Sequence, residues 1–109
     1  MVDSIFSGDR PAEGEERFET LLAVSLEPGS RVRLERIVSR DVRDGAWYDQ
    51  AWDEWVMVVQ GEAVLEWGDG TTVTLGAGDY LRIEAHRRHR VVRTSAECVW
   101  LALHLGGGE

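Results

Sequence analysis

Short strand-like segments separated by turn residues recur along this chain, and their spacing restricts the fold more than any other feature. From Phe18 onward, apolar and β-branched segments alternate with turns rich in Gly, Asp and Ser, about every 8 to 12 residues. No window shows a sustained helical period. The spacing predicts an all-β barrel or sandwich of six to ten antiparallel strands.

The middle of the chain contains the clearest strand pair. The segment "EWVMVVQ" (54–60) is apolar and β-branched, which is typical of a strand buried on both faces. Gly61 interrupts it, and "EAVLEW" (62–67) predicts the return strand. The "GDG" at 68–70 is a hairpin signal. Period-two alternation places Glu54 on one strand face with the valines at even-numbered positions.

The length and the ends of the chain indicate one domain. At 109 residues the chain can form a single core. Residues 1–17 are polar with weak periodicity and predict a flexible N-terminal arm. Residues 18–105 predict the barrel domain, and 106–109, which begin with three glycines, predict a flexible tail.

Composition excludes several kinds of function. The net charge of −8 disfavours general binding to nucleic acid or to an anionic membrane. No apolar run approaches the ~20 residues that span a bilayer, and the acidic start lacks the apolar core of a signal peptide. We therefore expect a cytoplasmic protein. Cys98 lies in an apolar segment and predicts a buried small side chain rather than a reactive thiol.

Two spaced patterns carry the resemblance to a family. Glu54 is followed seven positions later by Gly61, and Gly78 is followed eleven positions later by His89. In order and spacing, these residues resemble the two motifs of the cupin family, in its small single-domain form. The resemblance covers about residues 32–104. It implies a single cupin-type antiparallel β-barrel, the double-stranded β-helix or jelly roll.

The chain departs from the family motifs at the usual metal ligands. The His-x-His pair of the first motif falls on Tyr48 and Gln50, or on Trp47 and Asp49, depending on the gap before the glutamate. In the second motif, Arg93 stands where the family has asparagine. Two of the four usual ligands remain, the glutamate and histidine of the motif pairs.

The resemblance implies that Glu54 and His89 point into the barrel mouth. His86 lies three residues before His89 and could join them, so Glu54, His86 and His89 form the predicted set for a divalent metal (Fe, Mn, Ni or Zn). Two alternatives remain open. Glu54 and His89 could instead form a buried pair left from an ancestral metal site, and His86 could be exposed in a turn.

The pocket is expected to take its other residues from the same motifs. We predict that its lining includes Trp47, Tyr48, Asp49, Gln50 and Arg93. Strand alternation places Arg93 on the face of His89, where a guanidinium would bind a carboxylate or phosphate of a small anionic ligand. Arg90 is expected to face outward. Trp55 and Trp67 predict core or interface positions.

Three functions are consistent with these sequence features. The first is a small-molecule-binding protein with a metal site in the barrel mouth. The second is a metal-dependent dioxygenase, isomerase or lyase acting on a small organic acid. The third is a structural or regulatory interaction domain without metal. The expected partners are a small ligand and a second copy of the chain, since small cupins commonly dimerise, but neither nucleic acid nor membrane.

Overall fold

The predicted strand segments all form strands. The structure is a computed structural model that describes residues 2–106, and these residues contain eight strands and no helix. In chain order the strands are β1 (Glu16–Glu27), β2 (Ser30–Ser39), β3 (Asp53–Gln60), β4 (Glu62–Trp67), β5 (Thr72–Gly76), β6 (Tyr80–Ile83), β7 (His89–Thr94) and β8 (Cys98–Gly106). Consequently, no helix in the described range is long and apolar enough to cross a membrane.

The strands form two antiparallel sheets. One sheet has five strands in the order β1-β2-β8-β3-β6, and the other has three in the order β5-β4-β7. Neighbours in each sheet run antiparallel throughout. The prediction of an all-β antiparallel jelly roll is therefore confirmed.

The core lies between the two sheets and follows from strand alternation. Along β3, Glu54, Val56 and Val58 are buried, whereas Trp55 and Met57 are half-buried on the outer face. The predicted grouping of the even-numbered residues is confirmed, but the expectation that both faces of this strand are fully buried is not. The buried cluster consists of Ile37, Val56, Val58, Ala63, Leu65, Trp67, Leu75, Ile83, Cys98, Trp100 and Ala102.

Gly61 makes the connection between the two sheets. It joins β3 of the larger sheet to β4 of the smaller one, with a φ of +90°. That left-handed conformation favours glycine. A Cβ at this position would also collide with the carbonyl oxygen of Glu97 and would lie 2.6 Å from the hydroxyl of Ser95. The turn therefore needs glycine both for its backbone conformation and for its space.

The ends of the domain differ slightly from the sequence boundaries. β1 begins at Glu16, two residues before the predicted start of the domain. The segment before it crosses the outer face of the larger sheet, where the Arg36 guanidinium donates to the carbonyls of Ser4 (3.1 Å) and Ile5 (3.2 Å). Flexibility of the arm stays a prediction. Gly106 ends β8, and the remaining residues of the expected tail, 107–109, lie outside the described residues.

Candidate functional site

A cavity of about 550 Å³ lies between the two sheets. This volume is within the range of small-molecule sites. Its apolar and aromatic wall consists of Phe18, Ile37, Tyr48, Ala51, Trp52, Val56, Leu65, Ile83, Val91 and Trp100. Its polar and ionisable side chains are Glu16, Arg33, Glu35, Asp49, Gln50, Glu54, His89 and His104. The cavity thus combines aromatic walls with a few polar groups, as ligand sites do.

Glu54 and His89 both line this cavity. Both are buried, at 7% and 5% exposure. Glu54 accepts a hydrogen bond from the Gln50 side chain (2.7 Å). His89 Nδ1 lies 2.8 Å from the carbonyl oxygen of Arg87, so Nδ1 carries the proton. This tautomer leaves the lone pair on Nε2, the nitrogen that can accept a proton or bind a cation.

Tyr48 is held against the histidine by backbone pairing. The amide of each residue donates to the carbonyl of the other, at 2.8 and 3.0 Å, and the two rings stack with centroids 5.8 Å apart. Burial, together with the nearby carboxylates of Glu16, Glu54 and Glu35, raises the pKa of the Tyr48 phenol. Tyr48 therefore stays protonated at neutral pH and can donate a hydrogen bond into the cavity.

A second histidine of the cavity wall, His104, is hydrogen-bonded through both of its ring nitrogens. The Trp52 indole donates to His104 Nδ1 (2.9 Å). The proton of His104 must then be on Nε2, which lies 3.1 Å from Glu35 Oε1 and donates to it. These two hydrogen bonds orient the side chains of Trp52, His104 and Glu35. Both ring nitrogens of His104 are thus satisfied, and the residue also lines the cavity.

Glu16 enters the cavity from the edge strand β1. The Trp100 indole donates to Ser39 Oγ (3.0 Å), and the Ser39 hydroxyl donates to Glu16 Oε2. Burial raises the pKa of the Glu16 carboxyl, and the Ser39 hydrogen bond opposes that rise. The hydroxyl of Ser39 thus links a core tryptophan to a cavity carboxyl.

His86 does not join Glu54 and His89. Its backbone is in the left-handed region (φ 63°), and its amide donates to the Gln50 carbonyl. The ring is directed to the surface, with 70% of the side chain exposed, and Nδ1 lies 3.0 Å from Asp49 Oδ1. The prediction that His86 completes a ligand set is therefore wrong, and its alternative, an exposed turn residue, agrees with the structure.

Trp47 also lies away from the cavity. Its ring packs against two guanidinium groups instead, with Arg88 Cζ 4.1 Å and Arg90 Cζ 4.9 Å from the ring centroid. Cation–π packing on the outer side of β7 thus accounts for this tryptophan. Of the five pocket residues predicted from the motifs, Tyr48, Asp49 and Gln50 do line the cavity.

Arg93 faces outward because β7 contains a bulge. Val91 pairs with Leu65, but Arg93 pairs with Val64, so one residue of β7 is extra. The bulge reverses the side-chain alternation after Val91. His89 is buried whereas Arg93 is exposed. The prediction that the two share a face is wrong, since that alternation holds only for a regular strand.

The donor set does not complete a site for a resident metal. Among residues 2–106, no group of three or more His, Cys, Asp or Glu side chains is arranged to hold a metal ion. Protein metal sites of the expected kind use three or more such ligands. Glu54 and His89 supply two, and Gln50 already occupies one glutamate oxygen. These residues do not fit a tightly held divalent metal.

Several cavity residues were missed in the sequence. They are Glu16, Arg33, Glu35, Trp52 and Trp100. All lie outside the matched motif positions. Period-two alternation in β2 does group Arg33 with Glu35 and Ile37, but it does not tell which strand face is turned inward. The register decides this, because Arg33 pairs with His104, which in turn pairs with Glu54 on the buried face of β3.

The comparisons with known proteins agree with this architecture. The sequence profile of the family described as "Cupin domain" matches residues 42–104, more than half of the chain. None of the curated proteins matches. A crystal structure of a candidate mannose-6-phosphate isomerase from Ralstonia eutropha JMP134 is 39% identical, with a TM-score of 0.75, and the match covers 95% of this chain and 96% of that one.

More distant structures share the fold. KdgF from Halomonas sp. is 18% identical with a TM-score of 0.62, over 80% of this chain and 88% of its own. The cobalt(II) form of HppE in complex with Tris buffer is 17% identical with a TM-score of 0.66, over 82% of this chain and 52% of its own. With a family match over most of its β-sandwich and a full-length relative at 39% identity, the chain belongs to the cupin-domain family.

Proposed function

We propose that this protein binds a small polar organic molecule in the cavity between its sheets. The observation that carries the proposal is the cavity of about 550 Å³ with Glu54, His89 and Tyr48 on its wall. These three side chains offer a carboxylate acceptor, an imidazole lone pair and a phenol donor. Their convergence on aromatic walls favours binding over a purely structural role.

The first probe is a sugar phosphate. The 39% identical structure bears the name of a mannose-6-phosphate isomerase. Mannose 6-phosphate and its neutral counterpart, mannose, share a hydroxyl-rich body that suits the hydrogen-bonding groups of the cavity. Succinamate, which has one carboxylate, and succinamide form a second, sugar-free pair. Together the four compounds sample neutral and anionic ligands of a size that the cavity accommodates.

Two histidines three positions apart, His86 in the turn before β7 and His89 at the start of β7, supply a matched test. We expect His89→Ala to weaken binding of any probe by about tenfold or more, since one good hydrogen bond to a buried site is lost. His86→Ala should bind as the wild type does, because its ring is exposed. Isothermal titration calorimetry measures both, and circular dichroism checks the fold. Equal affinity of His89→Ala and the wild type for the probes would contradict the site assignment. His89→Gln, which keeps a polar side chain, is the second variant in case His89→Ala does not fold.

A metal-dependent enzyme is the second candidate. It is favoured by the shared position of Glu54 and His89 and by a distant neighbour whose crystal structures contain cobalt(II) and iron(II) forms. Because the chain supplies two donors, we expect any added Fe, Mn, Ni or Zn to be lost on desalting. Elemental analysis of tag-free protein measures this. About one metal per chain after desalting, absent from Glu54→Ala, would instead favour the enzyme.

The assembly we propose is a homodimer, and a cytoplasmic location stays a prediction. The support for self-association is the exposed apolar edge strand β1, in which Leu22 and Leu26 are 53% and 69% exposed. A structural domain without ligand is the remaining alternative. It predicts that no probe binds the wild type while the dimer persists.

A further inference from the structure

The carboxyl groups of the cavity all have hydrogen-bond partners within the chain. Ser39 donates to Glu16, and His104 lies within hydrogen-bond distance of Glu35. The other two acids are likewise engaged: Glu54 by the Gln50 side chain at 2.7 Å, and Asp49 by His86 at 3.0 Å. None of the four carboxyls therefore depends on a ligand cation for a partner.

Arg33 is the exception among the charged groups of the cavity. Its Nε is the single buried side-chain nitrogen or oxygen without a hydrogen-bond partner in residues 2–106. Arg33 also takes part in none of the ion pairs formed within that range. The residue as a whole is half-buried, but a buried Nε–H that has lost water without gaining a partner is costly, so its position in a cavity indicates a missing acceptor, which an anionic group would supply.

The position of Arg33 follows from the register of the larger sheet. It pairs with Ala23 of β1 on one side and with His104 of β8 on the other. Glu35, the nearest acid on the same strand face, is occupied by His104. Arg33 also lines a smaller groove of about 220 Å³ next to the cavity, together with Trp52. Its side chain thus borders both spaces.

We infer that Arg33 binds an anionic group, a carboxylate or a phosphate, on the small molecule held in the cavity. This inference rests on the proposed binding function. A guanidinium presents parallel N–H donors that match either group. The four carboxyls disfavour negative charge elsewhere in the cavity. The ligand class is therefore a small molecule with one acidic group at Arg33 and a neutral, hydrogen-bonding body towards Glu54 and His89.

Substitution of two arginines separates this role from a general effect of charge. Arg33→Gln removes the cation in the cavity, whereas Arg93→Gln makes the same change on the outer face of β7. With mannose 6-phosphate and succinamate (the monoamide, which has one carboxylate) as probes, we expect at least about tenfold weaker binding to Arg33→Gln and unchanged binding to Arg93→Gln. Mannose and succinamide should bind both variants as they bind the wild type.

Each outcome decides the inference. Unchanged affinity of Arg33→Gln for both anionic probes would overturn it. Binding of the neutral probes alone to the wild type would overturn it too, while the proposed binding function stood. Failure of all four probes would count against both. Arg33→Lys keeps the charge, so its partial recovery of anion binding at an unchanged melting temperature would show that a loss in Arg33→Gln is not misfolding.

Discussion

Glu16 loses much of its contact with water at the edge of the cavity, and this burial raises the pKa of its carboxyl group above the ordinary value of 4.5. In the unfolded chain the same carboxyl titrates near that value. Between the two pKa values the folded state binds more protons than the unfolded state. Stability therefore falls as pH rises through this window, and the full cost remains at neutral pH.

Replacement of Glu16 by glutamine should remove that cost. We expect Glu16→Gln to stabilise the protein at pH 7.5 by up to about 1 kcal/mol, because the amide can still accept the Ser39 hydrogen bond without burying a charge. The advantage should shrink as pH falls towards 4. Urea unfolding at both pH values measures it. Glu13→Gln, at an exposed position, is the control, and a gain that is independent of pH would contradict the explanation.

Burial also raises the pKa of a second side chain, the thiol of Cys98. It is fully buried, and desolvation, with a smaller contribution from Glu16, raises the pKa of its thiol to about 12. The thiolate needed for nucleophilic chemistry is then absent at neutral pH. The prediction of a buried, small apolar role from the sequence is confirmed by this burial.

At the scale of elements, turns connect consecutive strands, either between the two sheets (β3 to β4 at Gly61) or within one sheet (β4 to β5 at Gly70). Gly61 and Gly70 both have a φ of +90°, but they differ in surroundings. A Cβ at Gly61 would meet backbone and side-chain atoms of the loop before β8, whereas a Cβ at Gly70 would have open space around it. The pair therefore separates backbone strain from steric collision.

Alanine at the two glycines should have unequal effects. We expect Gly70→Ala to cost about 1 kcal/mol, the strain of a left-handed residue. Gly61→Ala should cost about 3 kcal/mol or more, because the β3–β4 turn must also move away from Glu97. Urea denaturation of the two variants tests this. Equal losses would show that backbone strain alone accounts for the need for glycine at position 61.

At the scale of the whole molecule, β1 leaves one edge of the larger sheet open. It pairs with β2 alone, and five of its apolar side chains, Phe18, Leu21, Leu22, Val24 and Leu26, are 38–69% exposed. Edge strands are usually protected by lysine, proline or charge. Residues 20–26 contain none of these. Antiparallel pairing of two copies about Leu22 would place Arg17 beside Glu27, which supports a second copy as the partner.

A charge at the centre of this edge should prevent self-association. We expect wild-type protein to elute at about twice its chain mass of 12.3 kDa, and Leu22→Lys to elute as a monomer. A buried lysine in a β1–β1 interface would be unpaired and costly. Thr74→Lys, at an exposed position of the other sheet's edge strand, should leave the dimer intact. Size-exclusion chromatography with light scattering measures the mass of each protein in solution. A wild type that is monomeric at about 100 µM would contradict the proposed β1–β1 pairing.

The segment 54–60 and the glycine after it were enough to predict β3 and the turn into β4, but not that the face of Trp55 and Met57 is half-buried. These features are local, since strand alternation and a left-handed φ depend on neighbours in the chain. The position of Glu54 and His89 at one cavity was implied by the resemblance of their motifs to the cupin family, not by strand periodicity, and both residues line the cavity. The sequence by itself determined the fold class and the strand segments.

Tertiary structure alone decided which arginine enters the cavity. A single extra residue in β7 turns Arg93 outward, and the register of β2 with β8, which pairs Arg33 with His104, turns Arg33 inward. The left-handed backbone of His86 likewise directs its ring to the surface. A bulge or a strand register depends on long-range pairing between segments far apart in the chain, so local periodicity cannot specify it.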